Sequence, residues 1–327
     1  MNESKQGTLQ PGTAATVAYN LLLRTYSLSR RGNLSPYWDR AWALASRVFS
    51  GPVRTLIHEQ PVLVSFGHAY PLYARRFPTY NNPLIELIYQ THLQVQRPVT
   101  LIDIGANVGD TIVMISANCP DMLGDFVCIE GDEEFFLYLQ HNLRCFEHGK
   151  LVRTLLSDST TGAHGLVRTH AGSASAQAGA VASSATLDSV ATSLGLTTLD
   201  LLKSDVDGYD GRVLNGATTV LSTLRPTVIF EWHPILCEKT GSSPLQHFEV
   251  LEACGYSTFL WFDKYGNFSH LNHGYRQSEI EALVELSRRN KVDFDLHYDV
   301  VALHATTPLS YSALAELGFA RRRRSQY

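Results

Sequence analysis

The sequence has little cysteine: five residues in 327, with no C-x-x-C pair among them. Cys119, Cys128, Cys145, Cys237 and Cys254 are odd in number and widely spaced. That argues against a disulfide framework or a zinc site, and for a reducing compartment. No run of about 18 apolar residues is present, so no segment is expected to span a bilayer as a helix. A strong excess of either charge is also missing, since the net charge is −4. General nucleic-acid binding and membrane-surface binding are therefore not expected. The opening MNESKQGTLQPGTAATVAYN has no apolar stretch behind a basic start, so no signal peptide is expected and a cytoplasmic location follows.

What is present is an ordinary globular composition, 44% hydrophobic and 18% charged, enough for one large domain or one domain plus a smaller one. The chain is organised around VTLIDIGANVGD, Val99 to Asp110. Val99, Leu101, Ile102 and Ile104 fit a buried parallel strand. The strand carries the acid Asp103, breaks at Gly105-Ala106-Asn107-Val108-Gly109, and gives way to a helical pattern from Thr111 with Asp110 in its first turn. Such a turn aims backbone N–H groups and a positive helix end at whatever lies above it. The dinucleotide fingerprint G-x-G-x-x-G fails because Asn107 holds the middle position. The remaining D-x-G-x-x-x-G resembles motif I of class I S-adenosylmethionine (AdoMet) methyltransferases, whose ligand offers an ammonium and a sulfonium to an acid.

In chain order, the first 14 residues are expected to be disordered, and Ala15 to Phe49 to form a basic helical extension packed on the main domain. Val53 to Phe66 reads as a strand pair. Gly67 to Pro83 holds His68, Tyr70, Arg75 and Tyr80 in a polar-aromatic segment; its three prolines argue against a helix, and these four side chains are candidates for substrate contact. Leu84 to Leu93 reads as a helix. A second strand, Phe126 to Glu130, ends on an acid 27 residues after Asp103, placed to accept from ribose hydroxyls. Asp132 should cap the helix Glu133 to Asn142. Leu151 to Leu156 is a third strand, after which Asp158 is placed for an adenine amino group.

Gly162 to Ser184 reads as a flexible or hairpin-like insertion, and Thr186 should cap a helix. Leu199 to Val206 is a fourth strand opening into DGYDG and a helix through Leu214 and Val220. Thr227 to Glu231 is a fifth, ending EWHP. A helix Leu245 to Ala253, a strand Tyr256 to Phe262, a helix Gln277 to Arg289 and a strand Asp299 to Leu303 follow, and Arg321 to Arg324 form a basic tail. Alternating strands and helices predict a mainly parallel sheet covered on both faces, with Asp103, Glu130, Asp158 and Asp205 converging on one sheet edge.

Taken in order, DIGANVGD, CIEGD, LSDST, ATLDSV, LLKSDVDGYDGRVLNGA and VIFEWHP resemble the FkbM family of AdoMet-dependent methyltransferases, over about Pro61 to Ala305. The resemblance implies a Rossmann-like α/β fold: a seven-stranded, mostly parallel sheet with an antiparallel last hairpin. It also implies methylation of a hydroxyl on a sugar, glycan or natural product. The division expected is 1–95 as disordered start, helical extension and substrate-side cap, 96–306 as methyltransferase domain, and 307–327 as tail. The sequence departs from the family with Asp at 207 and 210, where Glu is commoner, and Ser204 where Ile is common.

Cofactor candidates are Asp103, Gly105, Asn107, Gly109, Asp110, Glu130 and Asp158. Asp205 is expected at the reaction centre and His233 as base or substrate orienter, with Lys203 and Glu231 beside them and Asp207 toward the substrate. Asp205, Asp207 and Glu231 are also a ligand set that Mg2+ would accept, although nothing in the sequence requires a metal. A small-molecule or glycan acceptor with a free hydroxyl is expected, with no nucleic acid; a homo-oligomer is compatible. Two other readings stay open: a non-catalytic AdoMet- or nucleotide-binding subunit, and an NAD-linked oxidoreductase, which Asn107 disfavours.

Overall fold

The computed structural model describes residues 9–31, 35–77, 79–159, 164–170, 173–178, 184–289 and 296–309. Helices α1 (Thr13–Arg31) and α2 (Ser35–Val48) come first, then the hairpin β1 (Pro52–Ile57) and β2 (Gln60–Ser65), then α3 (Tyr70–Arg76) and α4 (Asn82–Val95). The alternation begins with β3 (Val99–Ile104), α5 (Asp110–Asn118), β4 (Leu123–Glu130), α6 (Glu133–Leu143) and β5 (Gly149–Arg153). Strands β6 (Leu155–Leu156), β7 (His164–His170), β8 (Ser173–Ala178) and β9 (Ser184–Ala185) precede α7 (Leu187–Ser193) and β10 (Leu201–Ser204). Next come α8 (Asp210–Asn215), α9 (Thr218–Thr223), β11 (Thr227–Trp232), α10 (Pro234–Lys239) and α11 (Gln246–Ala253). The last elements are β12 (Tyr256–Asp263), β13 (Phe268–His273), α12 (Gln277–Arg289) and β14 (Tyr298–His304).

The fold is mixed α/β around one large sheet of order β13-β12-β14-β11-β10-β3-β4-β5. The five strands from β11 to β5 run parallel, and β14 runs antiparallel to both its neighbours. The sheet has eight strands, not the expected seven, because β13 folds back antiparallel on β12. Its turn is built by Asp263, whose carboxylate accepts the N–H groups of Tyr265 and Asn267, with Gly266 at positive φ.

Successive residues of the central strands alternate between two cores, as period-two side chains must. Val99, Leu101, Cys128, Leu201 and Ile229 join one core with Tyr19 and Leu23 of α1, the β1–β2 hairpin, and α4 to α6. Ile102, Ile104, Val127, Leu202 and Val228 join the other with α7 to α9 and α11. The N-terminal helices thus complete one face of the sheet. In α1, Ala15, Tyr19, Leu23 and Tyr26 fall on one stripe at helical spacing and are buried.

Several expected boundaries shift for physical reasons. A helix does form inside Gly67 to Pro83: α3 takes Pro71 in its first turn, where a missing N–H leaves no bond unmade. The fourth strand is only Leu201–Ser204, because Asp200 turns its carboxylate to Arg97 and to the Thr100 N–H and hydroxyl. The helix after DGYDG is split at Gly216, and Asp188 caps the second piece at the N–H groups of Thr219 and Val220. Leu151 to Leu156 divides into β5 and β6. The chain is helical from Thr13, inside the stretch expected to be disordered, and residues 1–8 lie outside the described residues. Backbone of the Gly162 to Ser184 insertion forms the β7–β8 hairpin and, at Ser184, the start of β9; residues 162–163, 171–172 and 179–183 and Arg321 to Arg324 lie outside the described residues. Among the described residues no helix is long and apolar enough to cross a membrane.

Candidate active site

The parallel strands carry their last residues to one edge, and the turns that follow pack against each other. Gly105 (φ +75°) leaves β3 with its Cα against the turn after β10; a Cβ there would sit 1.9 Å from the Asp205 carbonyl oxygen. Asp205 N–H in turn donates to Ile104 O at 3.1 Å. Gly105 and Ala106 N–H both donate to Ile129 O. The turn is therefore pinned between β4 and β10 and leaves Asn107, left-handed at φ +47°, facing the edge.

Glu130 closes one side of this edge. Its Oε2 accepts the Asn107 N–H at 2.8 Å and its Oε1 the Asp132 N–H at 2.7 Å. Burial raises its carboxyl to about 7 against those two donors, which favour the charge. Asp132 caps α6 by accepting from Glu134 and Phe135 N–H. On the other flank Asp110, in the first turn of α5, takes His68 Nε2 at 3.2 Å. His68 is buried and its backbone oxygen accepts the Tyr19 hydroxyl, which ties α1 to the site. The His68 Nδ1 is buried and meets no hydrogen-bond partner among the described residues.

Lys203 sits between two acids. Its Nζ lies 3.0 Å from Asp103 Oδ1 and 3.4 Å from Asp205 Oδ2. Burial opposes its charge, but Asp103, Asp205 and Asp110 together outweigh this and hold the ammonium above its ordinary range. Asp103 is fully buried, and burial pushes its carboxyl up while Lys203 opposes. Asp205 keeps half of its side chain exposed.

The far wall comes from β11 and β14. Their register sets Glu231 opposite Asp299 and Trp232 opposite Tyr298. Because β14 is antiparallel, its first residues reach the edge where the parallel strands end, and His297 lies 3.8 Å from Glu231 and stacks on His233 with centroids 5.3 Å apart. Burial first, then Asp205 and Asp207, drive the Glu231 carboxyl up. Burial also lifts Asp299, to about 6, against the pull of His297. His233 is the N-cap of α10, its Nδ1 accepting the Leu236 N–H at 3.4 Å. With Nδ1 so engaged, the neutral ring carries its proton on Nε2.

These groups line one cavity of about 910 Å3. His68, Tyr70, Tyr80, Gly105, Asn107, Asp110, Glu130, Lys203, Asp205, Asp207, Glu231 and His233 all reach it. Four candidates do not. Asp103 lies behind the wall under Lys203, and Gly109 packs toward Leu139 and Leu143 of α6. Asp158 turns to Ser157 and, at 4.0 Å, to Arg212. Arg75 leaves its expected place to Arg76, one position further round α3.

Sequence reading missed Tyr209, Arg76, Lys239, Lys264, Tyr265 and His297, which also line the cavity. Tyr209 was legible in principle, standing between Asp207 and Asp210. His297 follows only once the last strand is known to be antiparallel, and Lys264 and Tyr265 only once β13 exists. Among the described residues no group of three or more His, Cys, Asp or Glu side chains is arranged to hold a metal ion. Asp205, Asp207 and Glu231 thus do not form the Mg2+ set the sequence allowed, since Lys203 already faces Asp205.

No curated protein sequence matches this chain. Solved structures that are similar over part of it include the following three. An FkbM methyltransferase from Methylobacillus flagellatus is 11% identical over 63% of this chain and 43% of its own, with a TM-score of 0.38. A precorrin-6y C5,15-methyltransferase from Geobacter metallireducens is 13% identical over 67% and 86%, with a TM-score of 0.35. The fibrillarin pre-rRNA processing protein of Methanococcus jannaschii is 12% identical over 64% and 68%, with a TM-score of 0.38. The chain thus spans less than half of the length of the first of these. Residues 103–258, the stretch that begins in the strand before the glycine turn, match the family model described as the methyltransferase FkbM domain.

Proposed function

We propose that the chain is an AdoMet-dependent O-methyltransferase acting on a hydroxyl of a sugar, glycan or natural-product acceptor. The observation that supports this is that the Gly105–Asn107 turn, Glu130 and Asp205 open into one cavity, which Tyr70, Tyr80 and His233 also line. Its volume is at the upper end of small-molecule sites, about 300–1,000 Å3, which suits a cofactor and an acceptor together.

The residues present fit the cofactor. Glu130 spends one lone pair of each oxygen on a backbone N–H and keeps others for two ribose hydroxyls. Asp110 suits the ammonium of the amino-acid end, and the α5 N-terminus suits its carboxylate. When bound, AdoMet supplies an electrophilic methyl group. The chain's own part is orientation and proton transfer. The acceptor hydroxyl would donate to Asp205, which would take its proton as the methyl carbon exchanges its bond to sulfur for one to that oxygen. The Lys203 ammonium, 3.4 Å away, holds that carboxylate in place. His233, through Nε2–H, donates to a neighbouring acceptor oxygen. A positioned base of this kind contributes about 10²–10⁴-fold, and alignment of the reacting atoms supplies more.

Incubation with AdoMet and a panel of mono- and oligosaccharides tests the reading. Equal amounts of S-adenosylhomocysteine and methylated sugar are expected, and both should be absent with Asp205→Asn. Binding of NAD without binding of S-adenosylhomocysteine would contradict it.

A further inference from the structure

Helix α2 has two apolar stripes, and only one of them is covered. Trp38, Trp42, Ala45 and Phe49 recur at i, i+4, i+7 and i+11 and face the core: the Trp38 Nε1–H donates to Leu22 O at 3.0 Å, Trp42 stacks on Trp38 and packs on Tyr19 of α1, and Phe49 stacks on Phe66. Tyr37, Ala41, Leu44 and Val48 repeat that spacing one residue earlier, about 100° round the helix, and all four are exposed. Tyr37, Leu44 and Val48 keep 63–68% of their surface in solvent. Arg40 and Arg47, also exposed, stand one residue earlier again, so a basic row runs along the outer side of the bare stripe. Asp39, the one acid of α2, follows Trp38 and falls on the opposite flank. Neighbouring elements add to the same region. Among the described residues ten large apolar side chains are exposed, and six of them lie here: the three of α2, Val17 and Leu21 of α1, and Leu56 of β1.

Exposed apolar side chains scattered singly are ordinary, whereas a continuous stripe marks a surface that something covers. The local charge says what. Residues 13–57 hold six arginines and one acid, whereas the whole chain has a net charge of −4. The chain average, which predicts no membrane-surface binding, conceals this local excess. A second copy docked by the same face would set arginines against arginines, which disfavours an isologous pair. A stripe on the convex flank of a helix suits a surface that yields around it. Leu44 and Val48 would enter the acyl boundary, Tyr37 would sit at headgroup depth, and the Arg40 and Arg47 guanidiniums would meet lipid phosphates. We infer that the α1–α2 face docks on an anionic phospholipid surface, with α2 lying in the interface by its Tyr37–Val48 stripe. Such docking requires nothing of the active site and holds whatever reaction the cavity supports.

The test is co-sedimentation of the full chain with phosphatidylcholine vesicles, either pure or with about one third phosphatidylserine. Anionic vesicles should bind it about tenfold tighter than neutral ones, and salt at about 0.5 M should weaken that binding by screening the arginines. Two double variants, Leu44→Ser/Val48→Ser and Arg40→Gln/Arg47→Gln, should each lose about tenfold in affinity for anionic vesicles. Both change exposed side chains, so their thermal unfolding should match wild type, and a loss of binding is then not a loss of fold. Wild-type protein that ignores anionic vesicles, or a variant of either kind that binds them as well as wild type, would overturn the inference; the second result would move the lipid contact to another basic stretch such as Arg321 to Arg324. Sedimentation equilibrium covers the rival occupant: a dimer that Leu44→Ser/Val48→Ser abolishes, without vesicle binding, would assign the stripe to a second copy instead.

Discussion

The Lys203 ammonium stands 3.0 Å from the carboxylate of Asp103, a side chain with no exposed surface. Breaking such a buried pair from one side costs about 3–5 kcal/mol, because an uncompensated charge stays behind, whereas removing both charges is often nearly neutral. Lys203→Met should therefore destabilise the protein by about that amount in urea unfolding, and Lys203→Met with Asp103→Leu should recover most of it. An unshifted urea midpoint in the single variant would show that the pair does not hold the strands β3 and β10 as described.

Gly105 has two reasons to be glycine, its positive φ and the Asp205 carbonyl against its Cα. Gly195 has only the first, with φ +63° and nothing within 4 Å of the position a Cβ would take. Gly195→Ala should thus cost only the conformational penalty, about 1 kcal/mol. Gly105→Ala adds a clash with backbone and should cost about 2–4 kcal/mol. Thermal unfolding of the two variants separates the terms, and equal shifts would contradict the close approach of the turns.

Asp210 is fully buried; Ser204 and the Val206 N–H donate to one oxygen, while the other has no partner among the described residues. Burial raises its carboxyl to about 7, against the Ser204 bond. The folded state then holds a proton that the unfolded chain releases near pH 4. Stability should accordingly fall as pH rises from about 4 through about 7, by at most about 1.4 kcal/mol per pH unit for this group. Glu130 and Asp299 add to the same trend. Asp210→Asn should flatten the profile between pH 5 and 8 relative to wild type; an identical slope would mean that Asp210 is ionised throughout.

Asp205→Asn keeps the shape of the side chain and removes the proton acceptor. With any saccharide that is turned over, kcat should fall about 10²–10⁴-fold. Affinity for S-adenosylhomocysteine should stay within about threefold. A variant that retains full kcat would move the base elsewhere, to Glu231 or His297, which line the same cavity.

The main elements were legible because their signals are local. An apolar run, a glycine turn and a helical period give β3 and α5 within a residue, and S/T/D capping gives α6 and α7. What was not legible depends on strand direction and on contacts distant in sequence. Asp103 reads as a cofactor acid at a strand end, yet a lysine 100 residues later claims it. Arg75 and Arg76 are indistinguishable in a segment whose helix was not foreseen. Asp299 and His297 enter the site only because β14 lies antiparallel beside β11, and no period in the sequence states that pairing. Asp158 looks like a strand-end acid but follows the irregular β5–β6 break and faces Arg212.

Titration with S-adenosylhomocysteine across pH 6 to 8, on wild type and Glu130→Gln, tests the cofactor site most directly. Because burial raises Glu130 to about 7, wild-type affinity should strengthen as pH rises and the carboxylate becomes available to the ribose hydroxyls. Glu130→Gln should bind about tenfold or more weakly, with a flat profile. Folded wild-type protein that binds nothing, or a Glu130→Gln variant that binds equally well at every pH, would contradict the assignment of this cavity to AdoMet.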